Sequence, residues 1–399
     1  MTVTDFPVGR VRTQYPMLAE TAYLNTGTYG LMATDVLSRH WELVASFERR
    51  GLAMEGSLRA QLEQVRERLA ARINGKPSEL ALTGNATDGV AFVSMGLELQ
   101  AGDEVIISDQ EHPAMNDPWH YVGHRFGIRV RHFHASGDPA ESLASIRSLL
   151  TPRTRLVGTS HITSACGIRL PVREICALAH EHGALALVDG AQSFAVTPID
   201  VQEIGCDVFT SNGHKWLGGP KGTGFFWARS DLMRRLLPAY VGAGALVGGA
   251  GDDVVLQPDA RRFEFGTRGF AVTGGLLPAL DWFDELGWEH ISARIQALTD
   301  RLKERLGSLE GVVLCTPRAW EGSGGLVTLE IPGRDEASLQ RRFEAAALYP
   351  RSLGSGSSRI RVSCALFNSE DEIDRLVATL RSFLAEDAAE PAPALDADG

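Results

Sequence analysis

The run Ser211-Asn-Gly-His-Lys-Trp-Leu-Gly-Gly-Pro-Lys-Gly-Thr-Gly-Phe225 sets one lysine, Lys215, among small polar residues and glycines. Upstream, Val188-Asp-Gly-Ala-Gln192 closes an apolar segment with an aspartate, and 215 − 189 = 26 positions separate the two charges. The aspartate ends Gly183-Ala-Leu-Ala-Leu-Val188, which opens on a helix-stopping glycine after His180-Glu-His182 and reads as a short buried parallel strand. Cys206-Asp-Val-Phe-Thr210 has the same character, so Lys215 also follows a strand end. In doubly wound sheets ligands bind outside the carboxyl ends of the strands. Acid and amine therefore belong to one site.

A carboxylate in that position can keep a pyridine nitrogen protonated, so that the ring accepts electrons from a carbanion at an amino-acid Cα. An amine there can form a Schiff base with an aldehyde and later take the Cα proton. Together they call for an aldehyde with a pyridinium nitrogen, pyridoxal 5′-phosphate. Asp189 is read as the partner of the ring nitrogen and Gln192 as a donor to the ring 3-oxygen. The competing reading of Asp189 is a cap for the next turn. Lys221 is the competing lysine. Lys215 is preferred because Asn212 and His214 beside it can reach a phosphate, whereas Lys221 stands among turn-forming residues.

Working outward, strand patterns recur at Leu80–Thr83, Glu104–Ile107, Arg129–Phe133, Arg155–Ser160, Ala184–Val188, Asp207–Thr210 and Gly224–Trp227. Helical stretches such as Ala140–Leu150 and Val172–His182 separate several of them, which predicts an α/β fold with a mostly parallel sheet and flanking helices. Asp35–Ala71 reads as helices leading into this unit, and Thr273–Leu309 as a long helical region broken near Gly287. A smaller C-terminal α+β unit follows, with strands at Gly325–Ile331 and Arg359–Ser363 and helices at Glu336–Ala347 and Asp371–Leu384. The expected organisation is an N-terminal segment 1–22 packing with the small domain, a cofactor-binding domain 23–280, a small domain 281–385 and a disordered tail 386–399 rich in Ala, Pro and acids.

These residues resemble a known family, the fold type I pyridoxal-phosphate enzymes of the class V aminotransferase branch, which includes cysteine desulfurases, isopenicillin N epimerases and cystine C–S lyases. The resemblance runs from Tyr23-Leu-Asn-Thr-Gly-Thr-Tyr-Gly30 to Arg359-Ile-Arg-Val-Ser-Cys364 and beyond. It implies that Lys215 binds the cofactor covalently, with Asn212 and His214 near the phosphate. Thr83-Gly-Asn-Ala-Thr-Asp-Gly89 looks like the first phosphate loop, contributing Asn85, Ala86 and Thr87, and its strand-turn-helix pattern independently offers free backbone N–H groups to an anion. Ser108-Asp-Gln-Glu-His-Pro-Ala114 is similar to the segment whose histidine, here His112, stacks on the pyridine ring.

By the same resemblance, Asn25 and Ser164 face the substrate, although desulfurases usually present asparagine where Ser164 stands. Arg361 corresponds to the clamp on the substrate α-carboxylate, a task suited to a planar guanidinium fork. Arg351, in Tyr349-Pro-Arg-Ser352, resembles a second arginine of the C–S lyase branch, for the same or a distal carboxylate. Gly266-Thr-Arg-Gly269 looks like a loop crossing a homodimer interface, with Thr267 touching the neighbour's phosphate. Val241–Gly251, rich in glycine, resembles a mobile active-site loop; no strand-turn-helix frame surrounds it, so it is not a dinucleotide fingerprint.

The reaction expected from this branch is β-elimination from an amino acid with a leaving group on Cβ. A desulfurase needs an exposed nucleophilic thiolate shortly before the Arg361 strand, and residues 345–358 contain no cysteine. Cys364 falls within the strand pattern, where a thiol packs as a small hydrophobe. An epimerase is the close rival, an aminotransferase the next, and a non-catalytic cofactor-binding protein the alternative from a different class.

Composition is in keeping with these expectations. A chain of 399 residues with 44% hydrophobic content can build sizeable cores, and its net charge of −11 argues against a nucleic-acid partner. The Arg234-Arg235 and Arg341-Arg342 pairs read as solvated helix faces. No apolar run of ~18 residues could span a membrane, and the start lacks the pattern of a signal peptide. Five scattered cysteines form neither a pairwise framework nor a zinc spacing, so no metal is expected and a reducing cytoplasm is the simple inference.

Overall fold

Short apolar runs shielded on both faces assemble into a seven-stranded sheet. In the computed structural model, which describes residues 6–248, 254–334, 336–354 and 358–387, its strands are β1 (Leu80–Thr83), β2 (Glu104–Ser108), β3 (Arg129–Phe133), β4 (Thr154–Ser160), β5 (Leu185–Asp189), β6 (Val208–Asn212) and β7 (Gly224–Ala228). They lie in the order β1-β7-β6-β5-β4-β2-β3. Strands β3, β2, β4, β5 and β6 run parallel, and β7 is antiparallel to both its neighbours. The register pairs Ser160 with Asp189 and Asp189 with Thr210, so the carboxyl ends of β4 and β5 are level and β6 runs on past them to Asn212.

Helices flank the sheet: α1 (Thr34–Arg50), α2 (Glu55–Arg72), α3 (Ala86–Gly96), α4 (Pro113–Phe126), α5 (Pro139–Leu149) and α6 (Val172–Glu181). The helical region expected over 273–309 has two breaks instead of one. A short helix, Phe270–Gly274, precedes α7 (Leu276–Leu286), and Gly287, with φ of 81°, separates α7 from α8 (Trp288–Leu306).

Beyond α8, β8 (Val313–Leu314), β9 (Leu326–Glu330), β10 (Arg351–Ser352) and β11 (Arg359–Ser363) form an antiparallel sheet in the order β8-β9-β11-β10. Its apolar face packs on Leu298 and Leu302 of α8, Phe343 of α9 (Glu336–Ala345) and Leu376 and Leu380 of α10 (Glu370–Asp387), forming a second core. The chain start joins this unit: Arg12 Nη1 donates to Glu372 Oε1 at 2.7 Å, and Ala22–Tyr23 pairs in parallel with Leu348–Tyr349.

Within the glycine-rich stretch, Leu246–Gly248 forms a small ribbon with Val255–Leu256, and residues 249–251 lie outside the described residues. The last helix continues past the expected stop at Leu384 to Asp387, and the remainder of the expected tail, 388–399, is likewise outside them. Among the described residues no helix is long and apolar enough to cross a membrane.

Candidate active site

At the carboxyl ends of the central strands a cavity of about 670 Å³ gathers Lys215, Asp189, Gln192, Asn212, His214 and His112, together with Asn85, Ala86, Thr87, Ser164, Arg351 and Arg361. Two sequence-expected residues, Asn25 and Thr267, are not among its lining.

The floor carries the acid and the amine. Asp189, the last residue of β5, is buried, and its Oδ1 accepts from Ala191 N at 2.8 Å. Burial raises its pKa, opposed by Lys215 and by that hydrogen bond. Burial brings the Lys215 amine down to about 8; Asp189 opposes this, while Arg361 and Arg351 add to it. An amine so placed is largely neutral just above physiological pH, the state a nucleophile or base requires. Gln192 is held from two sides, its Nε2 donating to Gly27 O at 2.9 Å and its Oε1 accepting from Trp216 Nε1 at 2.9 Å. One amide hydrogen remains for a ligand. Lys221 lies outside this cavity, and its Nζ donates to Gly30 O.

The phosphate end is built around the start of α3. Asn85 is its N-cap, accepting from Asp88 N at 3.1 Å, and Asn212 Oδ1 accepts from Ala86 N at 3.0 Å. These side chains occupy the amides on either side of Thr87. Asn85 and Asn212 thus shape the helix terminus, and Thr87 between them faces the cavity at the positive end of the helix dipole. His214 Nδ1 is 3.0 Å from Thr223 O, so Nδ1 carries the proton and Nε2 is left for a ligand. Its pKa is lowered by burial, against that hydrogen bond. His112 caps α4, accepting at Nδ1 from Ala114 N at 3.1 Å. Burial, then Lys215, Arg361 and Arg351, bring it to about 4, which leaves a neutral ring suited to stacking on an aromatic ligand.

The mouth carries two cations, Arg351 and Arg361. Register places Arg351 directly opposite Arg361, and like charges across a pair of strands are destabilising unless something compensates. Arg361 Nη1 donates to Ser164 O at 2.8 Å and Nη2 to Thr28 Oγ1 at 2.8 Å; Arg351 Nη1 reaches the same hydroxyl at 3.3 Å. The Nε of Arg361 is buried without a partner. Burial and Arg351 lower the Arg361 pKa to about 10. Among the described residues no carboxylate forms an ion pair with either guanidinium, so the arrangement awaits an anionic ligand.

Sequence reasoning named Asn25 where the structure puts Thr28. Asn25 Oδ1 accepts from Thr28 Oγ1 at 2.7 Å, leaving the hydroxyl's lone pairs for the two arginines. It also missed Glu111, a buried carboxylate in the same cavity. Thr267 is exposed on this chain.

Residues 24–30 clasp both parts of the site. Ser363 N donates to Leu24 O at 2.8 Å and Gly30 N to His214 O at 2.9 Å. Gly27 N donates to Ser363 Oγ at 3.0 Å. A Cβ at Gly30 would stand 1.8 Å from the Lys215 carbonyl oxygen, so only glycine fits beside the lysine turn.

Comparison with known proteins places these features in context. The family described as aminotransferase class-V matches residues 35–376. Isopenicillin N epimerase of Streptomyces clavuligerus is 34% identical over 385 residues, covering 91% of this chain and 95% of its own length. A cysteine desulfurase of Klebsiella pneumoniae (strain 342) is 30% identical over 403 residues, covering 94% and 98%. Among solved structures, the complex between the cystine C-S lyase C-DES and its reaction product cysteine persulfide superposes with a TM-score of 0.85 at 30% identity, covering 92% of this chain and 99% of that one. A mutant of C-DES with glycine covalently linked to its PLP cofactor gives 0.86 at 29% identity, covering 93% and 98%.

Proposed function

The chain belongs to the class V aminotransferase family of pyridoxal-phosphate enzymes, and from this premise we propose that it eliminates a Cβ substituent, sulfur foremost, from an α-amino acid. The residues present fit the cofactor. Lys215 would hold its aldehyde, Asp189 its ring nitrogen, and Gln192 its 3-oxygen. His112 would cover the ring face, and Thr87 and His214 would meet the phosphate on a helix terminus that Asn85, Ala86 and Asn212 build. Bound pyridoxal phosphate supplies an electron sink for the pair left behind when Cα loses its proton.

The observation that carries the reading is the pair of guanidiniums with which no carboxylate forms an ion pair among the described residues. Arg361, fixed by Ser164 O and Thr28 Oγ1, would take the α-carboxylate in its fork. Holding that group would decide which Cα bond is presented for cleavage. The Lys215 amine, once free, would take the Cα proton, and a leaving group on Cβ would depart with its electron pair. Arg351, at the outer rim, would take a second carboxylate, as a disulfide-linked amino-acid dimer such as cystine carries. A desulfurase reading lacks its nucleophile, because none of the five cysteines lines the cavity.

The test is product identification. Purified holoenzyme given cystine or cysteine conjugates should release a 2-oxo acid and ammonia. D/L interconversion without release would assign an epimerase, and transfer of the amino group with a band at shorter wavelength an aminotransferase. No turnover of any amino acid would leave a silent cofactor-binding protein.

The lysine environment adds a pH dependence. Cofactor-free protein should recombine with pyridoxal phosphate faster as pH rises, because the amine loses its proton through about pH 8, and level off above. Stopped-flow absorbance reads this; a rate that falls over the same range would remove the neutral amine from the scheme.

We also carry the homodimer as a proposal. A second cavity of about 1030 Å³ adjoins the first, sharing His112 and Thr87 and lined by Tyr121, Tyr240 and Phe265. Tyr240 is 69% exposed on the single chain, and Thr267 would act from the partner. A monomer in sedimentation at assay concentration would refute it.

A further inference from the structure

We propose that Glu111 is a positioning residue of this site, which pins the His112 turn across two strand ends and faces Asp189, so that its charge governs the protonation of the cofactor's imine and ring. The inference rests on the pyridoxal-phosphate reading of the cavity.

Glu111 directly precedes the residue that caps α4. Its Oε1 accepts from Ser108 Oγ at 2.6 Å and Ser160 N at 2.8 Å, with Thr159 Oγ1 at 3.4 Å, and its Oε2 accepts from Ser160 Oγ at 2.6 Å. Ser108 ends β2 and Ser160 ends β4. One side chain thus ties two adjacent strand ends to the turn that carries His112. Ser160 is in register with Asp189, and His161 N donates to Asp189 O at 2.8 Å. Moving Glu111 therefore moves the frame of Asp189 as well.

Burial among neutral hydroxyls is an unusual setting for an acid. Among the described residues no cation pairs with it. The charged group facing it is Asp189 on β5, itself facing Lys215; His112, next in the chain, is neutral. Burial raises Glu111 to about 7, against the hydrogen bonds from Ser108 and Ser160, and Asp189 adds to the rise. A structural staple would not need a charge: glutamine could accept from Ser160 N and donate to Ser160 Oγ. The carboxylate, which lines the cavity, would add negative potential there and favour the protonated form of an imine at Lys215.

The experiment titrates the visible absorbance of holoenzyme from acid to alkaline pH in wild type, Glu111→Gln and Glu111→Asp. The midpoint should fall by roughly one pH unit in Glu111→Gln, because removing a neighbouring negative charge destabilises the protonated form, and return toward wild type in Glu111→Asp. Should Glu111→Gln fail to fold, Ser160→Ala replaces it. Losing that donor makes Glu111 harder to ionise, and the midpoint should shift in the same direction by less. Variants with lowered melting temperature but an unchanged midpoint would overturn the proposal, leaving a staple only. Wild type with no visible band would instead sink the cofactor reading on which the proposal stands.

Discussion

Lys215→Ala should yield a protein from which pyridoxal phosphate dialyses away with loss of the visible band, and whose residual turnover is lower by roughly 10²–10⁴-fold from the lost proton transfer alone. The neighbouring backbone contacts, Gly30 N to His214 O among them, do not use the amine, so the variant should melt as cofactor-free wild type does, below the holoenzyme that its ligand stabilises. Lys221→Ala is the control. Its Nζ donates to Gly30 O and its side chain lies outside the lysine cavity, so the band should survive. Borohydride reduction and peptide mapping make the assignment covalent and direct: a label on residue 221, or a band that persists in Lys215→Ala, refutes it.

Arg361→Ala should lower kcat/KM for any α-amino acid by roughly 30-fold to several thousand-fold, from the ~2–5 kcal/mol lost when one member of a buried hydrogen-bonded charge pair is removed. Thr28 Oγ1 and Ser164 O position the guanidinium as a fork, so Arg361→Lys should recover little of the loss. Arg351 is exposed, and Arg351→Ala should cost at most about fivefold with a monocarboxylate substrate. A larger loss confined to dicarboxylate substrates would give Arg351 the distal carboxylate. An unchanged kcat/KM in Arg361→Ala would take the α-carboxylate elsewhere.

The floor of the site was legible because its signals are local. Asp189 and Lys215 each follow a short apolar run, and the rule that ligands gather at strand ends joins them without knowledge of strand order. Direction within the sheet was less legible. Gly224–Ala228 is as uniformly buried as the parallel strands β2 and β6, and no residue in it announces an antiparallel course. The hint lay between strands, since the link from Asn212 to Gly224 holds no helix and a parallel return needs a crossover.

Thr28 and Glu111 escaped for different reasons. Thr28 meets Arg361 across 333 positions, and within Asn25-Thr-Gly-Thr28 nothing ranks one polar residue above another. Glu111 sits in a polar string beside Asp109, whose carboxylate binds the backbone of Ala135 instead. Only the strand ends around each acid tell a buried one from a solvated one. Thr267 was named from resemblance, and on the single chain it is exposed and outside the cavity.

The seven residues from Leu24 to Gly30 grip the strand carrying Arg361 at one end and the turn carrying Lys215 at the other. We expect ligands at the two ends of so short a segment to be coupled, and coupling of binding free energies is reciprocal. A carboxylate that steadies the arginines must tighten the hold on the vitamin-derived group by the same factor that the group tightens the carboxylate. Substrate analogues should therefore slow cofactor loss, and a cofactor-free preparation should bind them poorly.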